Sequence, residues 1–103
     1  MITVIETWRL KPGREEEALA IMQKMDDLLG PPAHEHPGWC GHARFFRKND
    51  RPGEVVMMYP WRTLELHQHL TAQEEPVLKS FYEEYCSAPR EINYYTELMV
   101  EVE

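Results

Sequence analysis

The run Glu54–Tyr59, EVVMMY, is apolar on consecutive residues rather than on alternate ones. A strand with only one buried face alternates, so an unbroken run of this kind predicts a strand covered on both sides. One layer of helices covers one side of a sheet. The other side then needs a partner, and a second copy of the same sheet is the economical one. This expectation fixes most of what the chain can become.

The other elements are read around that strand. Ile2–Leu10 mixes β-branched and apolar residues, with Ile2, Val4 and Trp8 on one side and Thr3, Ile5 and Thr7 on the other, and Lys11-Pro12-Gly13 ends it as a turn. From Arg14 the period changes. Ala18, Ile21, Met22, Met25, Leu28 and Leu29 take helical spacing, and three glutamates stand in the first turn, where free N–H groups favour negative charge. Gly30 and Pro31-Pro32 predict the end of that helix, with a loop over Gly30–Gly38. Trp39–Lys48 reads as a second strand, with Gly41 marking a bulge or a close approach. Asn49–Gly53 is turn chemistry that pairs this strand with Glu54–Tyr59 as an antiparallel hairpin.

After Trp61–Leu70, which carries one indole and two histidines, Thr71–Pro76 reads as a short loop or helix start. Val77, Leu78, Phe81, Tyr82 and Tyr85 form a second amphipathic stripe, and Ile92–Val102 alternates as a last strand. The order strand, helix, strand, strand, helix, strand is that of an α+β, ferredoxin-like domain, one domain over residues 1–103. A net charge of −7 disfavours nucleic acid and anionic membranes as partners. Two cysteines are too few for a disulfide scaffold, and neither a signal peptide nor a membrane-spanning run is legible, so the cytoplasm is the expected compartment.

The segments ITVIETWRLKPG and HPGWCGHARFF, with the pattern from Trp61 to His69-Leu70, resemble the antibiotic biosynthesis monooxygenase family over nearly the whole chain. The resemblance implies a dimeric α/β-barrel: two sheets packed face to face in a homodimer, each monomer holding a cavity between sheet and helices. It implies a cofactor-independent monooxygenase acting on a small aromatic phenol or quinol, or on a polyketide-like substrate. A cofactor-free isomerase or cyclase, and a non-catalytic protein that binds a small molecule or haem, are the alternatives. Polyketide-oxidising members place an Asn four residues before the tryptophan, where this chain has Met57. Haem-degrading members carry a histidine further along the second helix, where Val77–Tyr85 has none.

Within Trp61–Leu70, His67 and His69 lie about 200° apart around a helix, so they cannot share one metal ion. They flank a buried side marked by Leu66 and Leu70. Spacing does not choose between them, and the resemblance favours His69 as the base that deprotonates the substrate, with Tyr59 assisting. Trp61 would stack on the substrate ring. Trp8, His42, Arg44 and His67 would line the same cavity, Arg44 requiring a carboxylate or an anionic ligand. His34, His36, Cys40 and His42 are metal-ligand types at no established spacing, and no metal or other cofactor is expected.

Overall fold

A computed structural model describes residues 1–103. Its strands are β1 (Ile2–Arg9), β2 (Arg44–Lys48), β3 (Arg51–Trp61) and β4 (Glu91–Tyr95); its helices are α1 (Ala18–His34) and α2 (Leu64–Tyr85). The four strands form one antiparallel sheet in the order β2-β3-β1-β4. This is the ferredoxin-like α+β order, and both helices lie on one side of the sheet.

Strand register sorts the side chains into two faces. Val4 pairs with Tyr59, Glu6 with Met57 and Trp8 with Val55, and this face turns toward the helices. Trp8, Val55, Leu78, Phe81 and Tyr85 pack there with Ile21 and Met25 of α1 in the main core. A second cluster of Val4, Tyr59, Trp61 and Leu70 closes the other end. The opposite face carries Ile5, Val56, Met58 and Phe46, and Phe46 is 44% exposed. In the single chain, therefore, the helices cover one side of Glu54–Tyr59 and leave the other uncovered.

Both helices run further than the sequence predicts. α1 passes through Gly30, Pro31 and Pro32 and ends at His34. Pro31 and Pro32 lie on the exposed side, near the helix end, where a lost intrahelical donor costs least. The Glu35 N–H still reaches the Pro31 carbonyl, closing a final turn. α2 is likewise continuous through Thr71–Pro76, because Pro76 is exposed and the buried stripe carries on beneath it: His67, Leu70, Glu74, Leu78, Phe81, Tyr85. Val77 and Leu28 fall outside the buried stripes and are exposed. Thr63 starts α2 by accepting the Leu66 N–H at 3.2 Å.

Two strands are shorter than expected. β2 begins at Arg44; before it only Trp39 pairs, in a single bridge to Trp61. β4 stops at Tyr95, so Thr96–Val102 continues without strand pairing and exposes Leu98, Met99, Val100 and Val102. No helix is long and apolar enough to cross a membrane.

Candidate functional site

A cavity of about 560 Å³ lies between the C-terminal half of α1, the loop after it, and the helix-facing side of the sheet. Met25, Leu29, Trp39, Met57, Trp61 and Leu70 give it apolar walls. Its inner end is polar, formed by Glu6, Tyr59, Glu74 and Arg90. Its mouth carries His34, His42 and the carboxylates of Asp26, Asp27 and Glu35.

The inner end is one connected network. Arg90 is almost fully enclosed, and each of its nitrogens is engaged. Nη1 donates to Glu6 at 3.0 Å, Nη2 to Glu74 at 2.9 Å and Nε to Glu75 at 3.0 Å. Glu6 also accepts from the Trp8 indole N–H at 3.1 Å and from the Tyr59 hydroxyl. Three donors around one buried carboxylate offset much of the cost of removing its charge from water. Tyr59 stands 2.6 Å from His67 Nε2, and His67 Nδ1 stands 2.9 Å from the Tyr94 hydroxyl. With the Tyr59 proton directed to Glu6, His67 donates through Nε2–H and accepts the Tyr94 proton at Nδ1. The relay Tyr94–His67–Tyr59–Glu6 therefore has one consistent set of donors.

Burial sets the acid–base character of these groups. It lowers the His67 pKa to about 4, helped by the charge of Arg90, so the ring is neutral at pH 7. Burial lifts the Glu74 carboxyl to about 7, even though Arg90 pulls it down. The Tyr59 phenol is held well above its ordinary range by burial and by the neighbouring Glu6 carboxylate. For Arg90, burial works against the charge, and Glu6 and Glu74 outweigh it, so the guanidinium is held more firmly than usual.

His67 and Glu74 impose opposite pH dependences on folding. His67 has a depressed folded pKa, so its stabilising contribution is complete above 6.5 and is lost as pH falls through about 4. Glu74 has a raised folded pKa, so its contribution is complete below 4.5 and is lost as pH rises through about 7. A difference measurement separates them. The gap in Tm between the wild type and His67→Gln is expected to narrow steadily from pH 6.5 to pH 4; a constant gap would contradict the buried neutral imidazole.

The residues expected from sequence divide clearly. Tyr59 and Trp61 line the cavity, and His42 lines its mouth. His67 is fully buried one hydrogen bond behind Tyr59, outside the cavity wall. Trp8 is buried behind Glu6, edge-on to Phe81. His69 does not reach the cavity. It is exposed on the far side of α2 from the buried stripe, and its Nδ1 meets His36 Nε2 at 3.0 Å. The stripe passes through His67, and a residue 200° further around the helix must leave it. Arg44 also lies elsewhere. It pairs with Met58 on the uncovered sheet face and sits over the Phe46 ring at 5.2 Å. His34 and His42 pack against Trp39, and no three His, Cys, Asp or Glu side chains converge to hold a metal ion.

Sequence reasoning passed over Glu6, Glu74 and Arg90. Two of them left a signal. Glu6 takes the inward position between Val4 and Trp8, and Glu74 lies four residues from both Leu70 and Leu78 on the apolar stripe. Arg90, after Ala88-Pro89, left none.

No family model matches the sequence, and no curated protein is similar to it. Solved structures are similar. A Bordetella bronchiseptica protein carrying the antibiotic biosynthesis monooxygenase name superimposes with a TM-score of 0.71 at 18% identity, over 95% of this chain and 97% of its own. SnoaB, a cofactor-independent oxygenase from Streptomyces nogalater, gives 0.66 at 14% identity over 99% and 97%. Rv0793 from Mycobacterium tuberculosis gives 0.62 at 16% over 98% of each chain. The chain has the antibiotic biosynthesis monooxygenase fold. Identities this low carry the antibiotic biosynthesis monooxygenase architecture and not the reaction, which has to be argued from the cavity itself.

Proposed function

We propose that this chain is a cofactor-independent monooxygenase whose cavity binds a small aromatic phenol or quinol. The observation that carries the reading is the closed end of the cavity, where the buried carboxylates Glu6 and Glu74 stand beside Tyr59 beneath apolar and indole walls. A planar ring fits between Trp61, Trp39 and Met57, with a hydroxyl directed inward. The base is a carboxylate of that inner end, in place of the His69 expected from sequence. It takes the hydroxyl proton, and the phenolate then reduces oxygen. The new C–O bond forms to a ring carbon, the O–O bond breaks, and one oxygen leaves as water with two hydrogens from the substrate. For a quinol the sum is quinol plus O₂ to hydroxyquinone plus H₂O. The protein's share is orientation, proton transfer and exclusion of bulk water from the ring.

Oxygen uptake with a panel of quinols tests this. We expect consumption of one O₂ per substrate, reduced by about a hundredfold or more in Glu74→Gln, in the range a positioned proton-transfer group contributes. Substrate loss without oxygen uptake would overturn the reading and favour an isomerase or cyclase using the same base.

The same proposal includes a homodimer formed through the uncovered sheet face. Ile5, Val56, Met58 and Phe46 give the middle of that face an apolar centre of the kind an interface buries. Native mass spectrometry is expected to give twice the 12.2 kDa chain mass. A single-subunit mass would remove the dimer from the proposal.

A further inference from the structure

The inner end of the cavity accepts hydrogen bonds and offers almost none. Every Arg90 nitrogen is already engaged by Glu6, Glu74 or Glu75, the Tyr59 hydroxyl proton points at Glu6, and the Trp61 indole N–H, which has no partner, abuts Gly38. Glu6 has both oxygens occupied, one by Trp8 and Arg90 and the other by Tyr59. Glu74 differs. Its Oε1 accepts from Arg90, whereas its Oε2 accepts from no protein group and is not sealed off, although the residue is only 6% exposed. Glu74 is thus a deeply buried carboxylate with one free oxygen, on a cavity wall. No other cationic side chain lines the cavity, and Asp26, Asp27 and Glu35 at the mouth pair with no cation.

We propose that Glu74 is the ligand-selecting group of this cavity: its free oxygen receives a hydrogen-bond donor at the buried end of a planar aromatic ligand and turns away aromatic carboxylates. The proposal rests on the reading of the cavity as an aromatic-binding site and adds to it which carboxylate meets the ligand and which ligands are refused. A phenol hydroxyl or an ammonium donates to Glu74 Oε2 and satisfies it. A ligand carboxylate at the same place would face two buried carboxylates beside a guanidinium already committed to three, an arrangement that penalises binding. Glu74 is then also the group placed to receive the hydroxyl proton, and its raised pKa brings it closer to a phenol than an ordinary carboxylate is.

Binding under nitrogen, measured by titration calorimetry at pH 8, tests selection without any turnover. The probes are 2-naphthol, 2-naphthylmethylammonium and 2-naphthoate, which share one ring system. We expect the alcohol and the ammonium each to bind at least about tenfold more tightly than the carboxylate, a difference of about 1.4 kcal/mol. Glu74→Gln, whose amide can donate to a carboxylate, is expected to bring the ratio below about threefold. The surface double variant Asp27→Asn, Glu35→Gln is expected to change it less than about twofold, because exposed charges are screened. Equal affinity for 2-naphthol and 2-naphthoate in the wild type overturns the proposal, and this comparison stands even if Glu74→Gln fails to fold. Loss of selectivity in the mouth variant alone overturns it as well, since the mouth field would then be the selector. Retained selectivity without oxygen uptake would leave Glu74 in place and remove only the oxygenase reading.

Discussion

Arg90→Leu is expected to bring the domain to the edge of unfolding. Leucine fills much of the space and stays apolar, but Glu6 and Glu74 lose the one cation that faces both. Breaking a buried ion pair by removing one partner costs about 3–5 kcal/mol, a large share of the roughly 5–15 kcal/mol that holds a domain folded. The loss should depend on pH with a definite sign. With the guanidinium gone, the Glu74 carboxyl, already raised by burial, loses the charge that pulls it down, so stability recovers as pH falls and that carboxyl becomes neutral. Arg90→Lys keeps the charge but cannot span three carboxylates with a planar fork, so an intermediate loss is expected. Urea denaturation at pH 7.5 and pH 5 measures all of this. A midpoint for Arg90→Leu close to that of the wild type would show that the network does not hold the fold together.

Gly38→Ala is expected to be nearly as damaging, for a steric reason. A Cβ at Gly38 would lie 2.0 Å from Trp61 Nε1, 2.6 Å from Cε2 and 2.8 Å from Cδ1. The indole cannot step aside. It is 1% exposed and held edge-on by Tyr59 and His67 at ring-centroid distances of 5.9 and 5.6 Å. The loop must therefore lift, and with it the Arg62 bonds to the Pro37, Gly38 and Trp39 carbonyls. Overpacking typically costs about 1–3 kcal/mol and occasionally more, and a 2.0 Å approach to a fixed ring belongs at the upper end. Trp39 and Trp61 move relative to solvent, so tryptophan emission should shift to the red. A smaller ring makes room, so Trp61→Phe should recover part of the loss; strictly additive single and double variants would show that the contact is not the cause.

The sequence makes the sheet side of this protein legible and the ends of its elements much less so. Alternation in Ile2–Leu10 separates Val4 and Trp8 from Thr3, Ile5 and Thr7, and the register agrees. Helical spacing finds Ala18, Ile21, Met22, Met25 and Leu29, all buried. The prolines mislead because a proline breaks a helix only where its missing N–H and its ring meet something costly; Pro31, Pro32 and Pro76 all lie on exposed surface. The site was legible in part. Tyr59 and Trp61 stand on a recognisable buried strand, whereas the choice between His67 and His69 depends on which side of α2 meets the sheet. That side is marked by Glu74 as well as by leucines, and a charged residue on an apolar stripe is easily assigned to solvent. Arg90 lies beyond the reach of any local pattern, because its meaning comes from three carboxylates 15 to 84 residues away in the chain.

The two ends of the cavity differ in what substitution costs. Glu6, Glu74 and Arg90 are bound to one another, so a change in any of them is paid for throughout the interior. Asp26, Asp27, His34, Glu35 and His42 surround the opening on partly or fully exposed positions that the cores do not use. Drift among relatives can therefore rewrite the entrance freely while the interior stays constant. A lineage built on this plan could change which molecules it admits many times over without relearning how to fold.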